Sequence, residues 1–288
     1  MLAAVMTRTP THQATTSPRL GAALYALYYL AIPLGRKTSA PTHVDLLTHP
    51  EVSRHKDAAV DLYLPATPTG ASVVLVHGGG FVVGSRKMKP VRHLATLLAD
   101  AGIATVAVGY RMVGSGGVTA GLEDVAAAMR WWQSNATAHG MSPDRIHLLG
   151  FSAGCAMSLL AAQSAPDVSF QSAVSLYGLF DWSALNSGPA GWLRGQLPGA
   201  ATPESARSSS PIEAGQVPCP LLLIHGTADH LTPVDQAHAM AAERETRGLP
   251  TEFCLLEGAG HGLFNRADNP HVPPAMDALL AFLGSSAH

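Results

Sequence analysis

A serine flanked by small residues stands in the segment LLGFSAGCAMSLLAAQ, residues 148–163. Its centre, GFSAG at 150–154, fits the pattern G-x-S-x-G, with an apolar run before it and an Ala/Leu-rich segment of helical character after it. Glycines permit the sharp strand-to-helix turn that lifts a serine Oγ clear of a sheet, and the start of the helix favours developing negative charge. Ser152 is therefore a candidate nucleophile, with a plain tight turn as the alternative if no partner residues are found.

A serine hydroxyl becomes a good nucleophile only when a base takes its proton and an acid orients that base. Asp229 follows the apolar run PLLLIHG, and His261 lies between glycines after the run TEFCLLE. Singly, Asp229 could cap a helix that begins near Pro233, Asp235 is a competing carboxylate, and His261 could be an ordinary loop histidine. Their joint occurrence in the order serine, aspartate, histidine, each after a predicted strand, predicts a catalytic triad with Ser152.

An HGGGF segment, residues 77–81, directly follows the apolar run SVVLV. Glycines allow backbone N–H groups to approach a developing oxyanion, so the sequence predicts an oxyanion hole made by Gly78, Gly79 and Ala153. A phosphate-binding loop is the alternative, because residues 79–84 have G-x-x-x-x-G spacing. That motif fails, since a Ser-Arg pair follows where Lys-Ser/Thr is required.

Alternating strand-like and helical segments must position these residues. Continuous apolar runs indicate strands buried on both faces of a parallel sheet, and the repeated strand–helix order predicts one doubly wound α/β sheet of about eight strands. The predicted strands are 58–65 (early and antiparallel), 72–77, 104–110, 145–150, 171–177, 220–226 and 251–257. The predicted helices are 88–101, 121–139, 153–165, 233–247 and 272–284.

The length of 288 residues, with 47% hydrophobic and 13% charged residues, suits a single large α/β domain over 1–288. Its N-terminal extension, 1–40, contains the apolar segment LGAALYALYYLAIPL at 20–34. This segment is short of the ~20 residues that span a bilayer, and its helical spacing favours a cap helix packed on the body over membrane contact. The stretch 181–219, rich in Gly, Pro and Ser, has no clear pattern and predicts an excursion above the sheet.

A net charge of −2 and a pI near 6.7 argue against a nucleic-acid partner and favour a small-molecule substrate. Three cysteines, Cys155, Cys219 and Cys254, are too few for a disulfide framework and suit a reducing compartment, so we expect a cytoplasmic protein. Cys155, close to the serine, is expected to be inert packing. No motif with metal-ligand spacing is present, so neither a metal nor a cofactor is expected.

The sequence resembles the hormone-sensitive-lipase-like branch of the α/β-hydrolases, esterases marked by an HGGG loop and a G-x-S-A-G turn. The likeness runs from about residue 58 to the C-terminus through the motifs VLVHGGGFVVGS, GYR, SPDRIHLLGFSAG, SPIEAG, HGTADHLTP and GAGHG. Two positions depart from it: Phe151 stands where an acid usually precedes the serine, and Gly109 stands where an acid usually precedes the Tyr-Arg pair. Both departures point toward the compact bacterial acetyl- or feruloyl-esterase-like relatives. The resemblance also implies a second cap, which would map to 181–210 and is short here.

The resemblance and the motifs together predict a serine carboxylesterase that hydrolyses short- to medium-chain acyl esters without a cofactor. Phe81, Phe151 and Trp182 are the predicted substrate-binding residues. An amidase, an arylformamidase or a small peptidase on the same scaffold is the alternative. A catalytically silent ligand-binding homologue is a third reading, less favoured because such proteins typically lose part of the triad.

Overall fold

Eight strands form one sheet in the computed structural model, which describes residues 45–49, 52, 55–186 and 188–285. The strands are β1 (Asp45–His49), β2 (Val60–Leu64), β3 (Ser72–Val76), β4 (Ala104–Val108), β5 (Ile146–Phe151), β6 (Ser172–Leu176), β7 (Leu221–Gly226) and β8 (Thr251–Leu256). Their order in the sheet is β1-β2-β4-β3-β5-β6-β7-β8. Only the β1–β2 and β2–β4 pairs are antiparallel within this described sheet, which confirms the predicted mostly parallel sheet and the early antiparallel strand.

The central strands are buried along their whole length. Every residue of β3, β4, β5, β6 and β7 is shielded from solvent, as the continuous apolar runs in the sequence predicted. The edge strand β1 was not predicted from the sequence; it has five residues and is held by its pairing with β2. The predicted cap helix at 20–34 and the rest of the extension 1–40 lie outside the described residues.

Helices cover both faces of the sheet. In chain order they are α1 (Lys89–Asp100), α2 (Gly117–Asn135), α3 (Ala153–Gln163), α4 (Gly188–Arg194), α5 (Pro203–Ser209), α6 (Pro211–Ala214), α7 (Asp235–Thr246) and α8 (Val272–Ser285). Buried side chains of α1 and α8 belong to one hydrophobic cluster, and those of α2, α3 and α7 belong to another. The sheet is therefore doubly wound, and all five predicted helices are confirmed with ends shifted by a few residues.

The stretch that follows β6 contains three short helices that the sequence analysis did not predict. Thr202 caps α5 by accepting a hydrogen bond from the Ser205 N–H, and a proline begins both α5 and α6. Leu193 and Ala206 are fully buried in the cluster that includes α2 and α3. The predicted second cap, 181–210, thus packs its apolar side chains into the core on that face of the sheet.

Parallel strands bring their carboxyl ends to one edge of the sheet. The segments after β3, β5, β6, β7 and β8 all start at this edge, where open α/β sheets build their sites. The fold therefore brings the HGGG loop, the serine turn and the two later loops together. Within the described residues, every helix is too short or too polar to cross a membrane.

Candidate active site

Ser152 occupies a strained turn between β5 and α3. Its backbone lies at φ +51° and ψ −121°, a conformation that residues other than glycine rarely adopt. A Cβ at position 150 would lie 2.5 Å from the Cys155 backbone, and one at position 154 would collide with the carbonyl oxygen of Val76. Close packing therefore requires glycine on both sides of the serine, which is the physical reason for the G-x-S-x-G pattern.

The three predicted triad residues lie together at the carboxyl edge of the sheet. Ser152 Oγ is 3.1 Å from His261 Nε2, and His261 Nδ1 is 2.7 Å from Asp229 Oδ2. Because the carboxylate can only accept, Nδ1 of His261 carries the proton, and Nε2 is the nitrogen that can accept the serine proton. Asp235, the competing carboxylate, is exposed at the first residue of α7. The arrangement can transfer a proton away from the serine hydroxyl.

Asp229 is held by a dense set of donors. Its Oδ1 accepts hydrogen bonds from the N–H groups of Leu231 and Thr232, both at 2.9 Å, and its Oδ2 accepts one from the Thr232 hydroxyl at 3.0 Å. The buried His225 Nε2 lies 3.4 Å from the same Oδ2. Burial acts to raise the pKa of Asp229, but the hydrogen bonds from His225, His261 and Thr232 more than offset it and hold that pKa well below its ordinary value. The carboxylate is therefore ionised at neutral pH.

The HGGG loop packs directly against the serine turn. A Cβ at Gly78 would lie 2.9 Å from the Phe151 carbonyl oxygen and 3.2 Å from Ser152 Cβ, and Gly79 lines the same cavity as the serine. Among the described residues, the N–H groups of Gly78, Gly79 and Ala153 donate to no backbone carbonyl in a turn or loop. These N–H groups are thus close to the serine and open to an incoming oxygen.

His77, the first residue of the HGGG loop, is a buried structural histidine. Its ring stacks on Tyr110 at 4.3 Å, its Nδ1 donates to the Gly78 carbonyl at 2.7 Å, and its own carbonyl accepts from the Tyr110 hydroxyl at 2.8 Å. Burial, with a smaller contribution from the charge of Arg86, lowers the pKa of His77 to about 4. Arg86 pairs in turn with the buried Asp61 of β2 at 2.9 Å, which ties the far end of the loop to the sheet.

A cavity of about 250 Å³ opens at the serine. Its apolar walls come from the loop before α1, the start of α1 and the serine turn, and Tyr177 and Asn265 also contribute. The lining residues are His77, Gly78, Gly79, Val83, Gly84, Met88, Pro90, Val91, Phe151, Ser152, Tyr177, His261, Gly262 and Asn265. Of the three predicted substrate-binding residues, Phe151 is the one that lines this cavity in the described part of the chain.

Phe81 and Trp182 were predicted to line the substrate pocket, but neither side chain lines the cavity at the serine. The two side chains are fully buried and meet edge to face at 6.4 Å in the cluster that includes α2 and α3. The apolar wall of the cavity belongs instead to the face covered by α1. For the same reason, no residue of the expected second cap, 181–210, lines the cavity that the structure describes.

Both departures from the resembled branch have a packing explanation. Phe151 stacks on Tyr177 and meets Phe264 edge to face, each at 5.9 Å, so an acid at this position would place a charge between two aromatic rings. A Cβ added to Gly109 would already collide with the Asp57 carbonyl oxygen, so no larger side chain fits there. The aromatic cluster around Phe151 also supports Tyr177, whose ring meets His261 edge to face at 4.7 Å.

Sequence reasoning missed several residues of the site. Tyr177 follows β6 at the same edge as the triad residues, so its position after a strand was a usable signal. Met88 and Asn265 lie in segments without a recognisable motif, and only the docking of those segments brings them to the cavity. His225 and Thr232 gave no signal beyond their closeness to Asp229 in the sequence.

Cys155 is confirmed as a buried thiol in α3. Its Sγ lies 3.0 Å from the Gly150 carbonyl oxygen, and burial raises its pKa to about 12. The thiol is therefore protonated at neutral pH and is a poor nucleophile. Its role is to pack behind the serine turn.

Comparison with known proteins identifies one family and several relatives. Residues 60–243 match the model of the BD-FAE family. Esterase LipC of Mycobacterium tuberculosis is 28% identical over 255 residues, an alignment that covers 81% of this chain and 61% of LipC. The probable carboxylic ester hydrolase LipM of the same organism is 27% identical over 245 residues, covering 76% of this chain and 56% of LipM. The chain thus spans about three fifths of the length of these relatives.

Among solved structures, an inhibited esterase B from Lactobacillus rhamnosis superposes with a TM-score of 0.76 at 20% identity. The superposition covers 92% of this chain and 93% of that one. Together with the strand order, this likeness shows that the chain has the α/β-hydrolase fold expected from the sequence motifs.

Proposed function

We propose that this chain, which belongs to the BD-FAE family, is a serine carboxylesterase that hydrolyses short- to medium-chain acyl esters through an acyl-enzyme. The observation that carries the proposal is the continuous line of hydrogen bonds from Ser152 through His261 to Asp229, at 3.1 and 2.7 Å. The names of the relatives LipC and LipM, an esterase and a probable carboxylic ester hydrolase, support the same reaction type.

In the proposed acylation step, His261 Nε2 takes the proton of Ser152 Oγ as the oxygen attacks the ester carbonyl carbon. Asp229 holds the imidazole in the required tautomer and stabilises the imidazolium, consistent with its lowered pKa. General-base assistance of this kind contributes about 10²- to 10⁴-fold in rate. The imidazolium then protonates the leaving alkoxide, and the acyl group stays on the serine.

The tetrahedral intermediate carries its negative charge on the former carbonyl oxygen. Backbone N–H groups of Gly78, Gly79 and Ala153 are the proposed donors to this oxygen, and each missing donor typically costs ~3 kcal/mol of transition-state stabilisation. Ala153 is the first residue of α3, where N–H groups have no partner within the helix and the helix dipole favours an anion. Water then attacks the acyl-enzyme with the same assistance and releases the acid.

The cavity supports a small ester. Its volume of about 250 Å³ is below the ~300–1,000 Å³ of typical drug-sized ligand sites, and Val83, Met88 and Val91 give it apolar walls. We therefore expect p-nitrophenyl acetate and butyrate to be hydrolysed with a higher kcat/KM than the palmitate ester. A preference for long acyl chains would contradict this assignment of acyl length without affecting the triad.

The deciding experiment compares Ser152→Ala with Ser158→Ala, a control in the same helix. Both serines are buried, but the Ser158 hydroxyl donates to the Cys155 carbonyl and lies outside the described cavity. Ser152→Ala should lower kcat on p-nitrophenyl butyrate by more than about 10³-fold and abolish labelling by a fluorophosphonate probe, because the attacking oxygen is gone. Ser158→Ala should keep both. Undiminished turnover or labelling in folded Ser152→Ala protein would refute the proposal.

An amidase or small peptidase would use the same triad, so the substrate separates these readings. A butyryl anilide assayed beside its matching phenyl ester should be hydrolysed far more slowly, because an amide carbonyl is less electrophilic than an ester carbonyl and an amine is a poorer leaving group than a phenol. A comparable kcat/KM on the anilide would replace the esterase proposal with the amidase reading. Well-folded protein that fails to react with the fluorophosphonate would instead support a silent ligand-binding homologue.

A further inference from the structure

Asn265 brings a polar side chain to the wall of the cavity. Its backbone N–H donates to the Gly262 carbonyl at 2.8 Å, which closes the turn after His261, and its side chain is half-buried. Among the described residues, no hydrogen-bond partner reaches its carboxamide, although a carboxamide offers two donors and two acceptor lone pairs. Ser152 and His261, by contrast, are already bonded to each other, and the His77 Nδ1 is bonded to Gly78.

The carboxamide lies beside Gly262, the residue that follows the catalytic histidine of the proposed mechanism. Its nitrogen is so close to Gly262 that a Cβ there would collide with it, and Gly262 is both the neighbour of His261 in the chain and a lining residue of the cavity. In ester hydrolysis the imidazolium protonates the leaving oxygen, so the alcohol portion must lie next to the imidazole. Asn265 thus lines the cavity next to the loop that carries His261, and an alcohol portion placed beside the imidazole would be within its reach.

We infer that Asn265 binds the alcohol portion of the substrate, and that the preferred substrates are esters whose alcohol keeps a free hydroxyl close to the ester oxygen. This inference rests on the proposed esterase activity. A hydroxyl can both donate to and accept from a carboxamide, and it would satisfy the unused groups of Asn265. A plain alkyl alcohol would displace water from the carboxamide without replacing its hydrogen bonds, which penalises binding of that ester.

The test uses two butyrate esters that differ only in the alcohol. Glycerol 1-monobutyrate carries two free hydroxyls, and propyl butyrate has the same three-carbon alcohol without them. We expect the full-length protein to show a higher kcat/KM on the glycerol ester, by about 3- to 10-fold, the range for one neutral hydrogen bond. Asn265→Leu, which introduces an apolar residue of similar size, should remove that preference, because kcat/KM should fall about 3- to 10-fold more on the glycerol ester than on propyl butyrate.

Propyl butyrate is the internal control for each variant, because it reports folding and the triad without the hydroxyl contact. Asn265→Gln, which keeps the carboxamide, should recover part of the preference. Equal kcat/KM on the two esters in the wild type would overturn the inference, as would a preference that survives in Asn265→Leu. An equal loss on both esters in Asn265→Leu would also overturn it, by assigning Asn265 a purely structural role. Each of these results leaves Ser152-dependent hydrolysis intact, whereas absence of that hydrolysis on both esters refutes the proposed function itself.

Discussion

His225, near the end of β7, packs against Asp229 and touches no other member of the proposed triad in the described structure. Its Nε2 lies 2.7 Å from the Thr232 carbonyl oxygen and 3.4 Å from Asp229 Oδ2, and the side chain is 1% exposed. A carbonyl oxygen only accepts, so Nε2 must carry a proton. That N–H closes the turn from Asp229 to Thr232 and lies close to the carboxylate, and it contributes to the lowered pKa of Asp229. We expect His225 to act as a positioning residue for Asp229.

Two substitutions separate this role from simple packing. In His225→Gln the amide nitrogen can take the place of Nε2, whereas the shorter side chain of His225→Asn ends about where Nδ1 stood. Losing a hydrogen bond that involves a charged group costs about 1.5–3 kcal/mol, and each 1.36 kcal/mol of transition-state energy is a factor of ten. We therefore expect kcat/KM on p-nitrophenyl butyrate to fall about tenfold or more in His225→Asn. In His225→Gln it should stay within about threefold of wild type.

His147 supplies the matched control. It is equally buried, in β5, and its Nδ1 lies 2.8 Å from Ser172 Oγ, at the end of the strand remote from the serine turn. The Asn and Gln variants at this position should lower thermal stability and leave kcat/KM of the folded protein unchanged. The reasoning about His225 fails if its Asn and Gln variants lose activity equally, or if folded His225→Asn keeps the wild-type kcat/KM and pH–rate profile.

Two further predictions concern stability. Gly154→Ala places a Cβ against a β3 carbonyl oxygen and should lower Tm by about 3–10 °C, because overpacking of this kind costs ~1–3 kcal/mol. Gly114→Ala is the control, since a Cβ there meets nothing within 4 Å, and its Tm should stay at the wild-type value. Equal Tm values for the two variants would contradict the prediction, by showing that the turn relaxes around the added methyl group. The second prediction concerns pH: burial lowers the pKa of both His77 and His147 to about 4. Between pH 6.5 and 4 the unfolded chain therefore binds protons that the folded chain does not. The free energy of unfolding should fall as the pH falls through that window. Urea unfolding at pH 7 and pH 5 should show a loss of up to about 2 kcal/mol per histidine, and an undiminished loss in His147→Gln would count against this origin.

The chemistry of the candidate site could be predicted from the sequence because it depends on residue types and chain order. Ser152 and His261 are 109 positions apart, yet both follow strands of one parallel sheet, and such strands end at a common edge. The glycines around the serine were equally predictable, since a turn this tight leaves no space for a Cβ. The positions of the central strands could be predicted from continuous apolar runs, because a strand that is buried on both faces carries apolar side chains at successive positions.

The wall of the cavity could not be predicted in the same way. Phe81 is close in sequence to Gly79, but its side chain turns to the face covered by α2 and α3, where it meets Trp182. Met88 and Asn265, from segments 177 positions apart in the chain, line the cavity instead. An apolar residue in a sequence signals that it will be buried, but it carries no information about which face of the sheet will cover it.

The sequence by itself thus determined the sheet, the reacting groups and the edge at which they meet. The tertiary structure decided which side chains surround them: the aromatic support of Phe151, the turn that His225 closes behind Asp229, and the carboxamide of Asn265 in the cavity wall. The physical reason is that local pattern specifies backbone conformation and burial. Contacts between distant segments follow only from how helices and loops dock on the sheet, and that docking depends on the packing of the whole core.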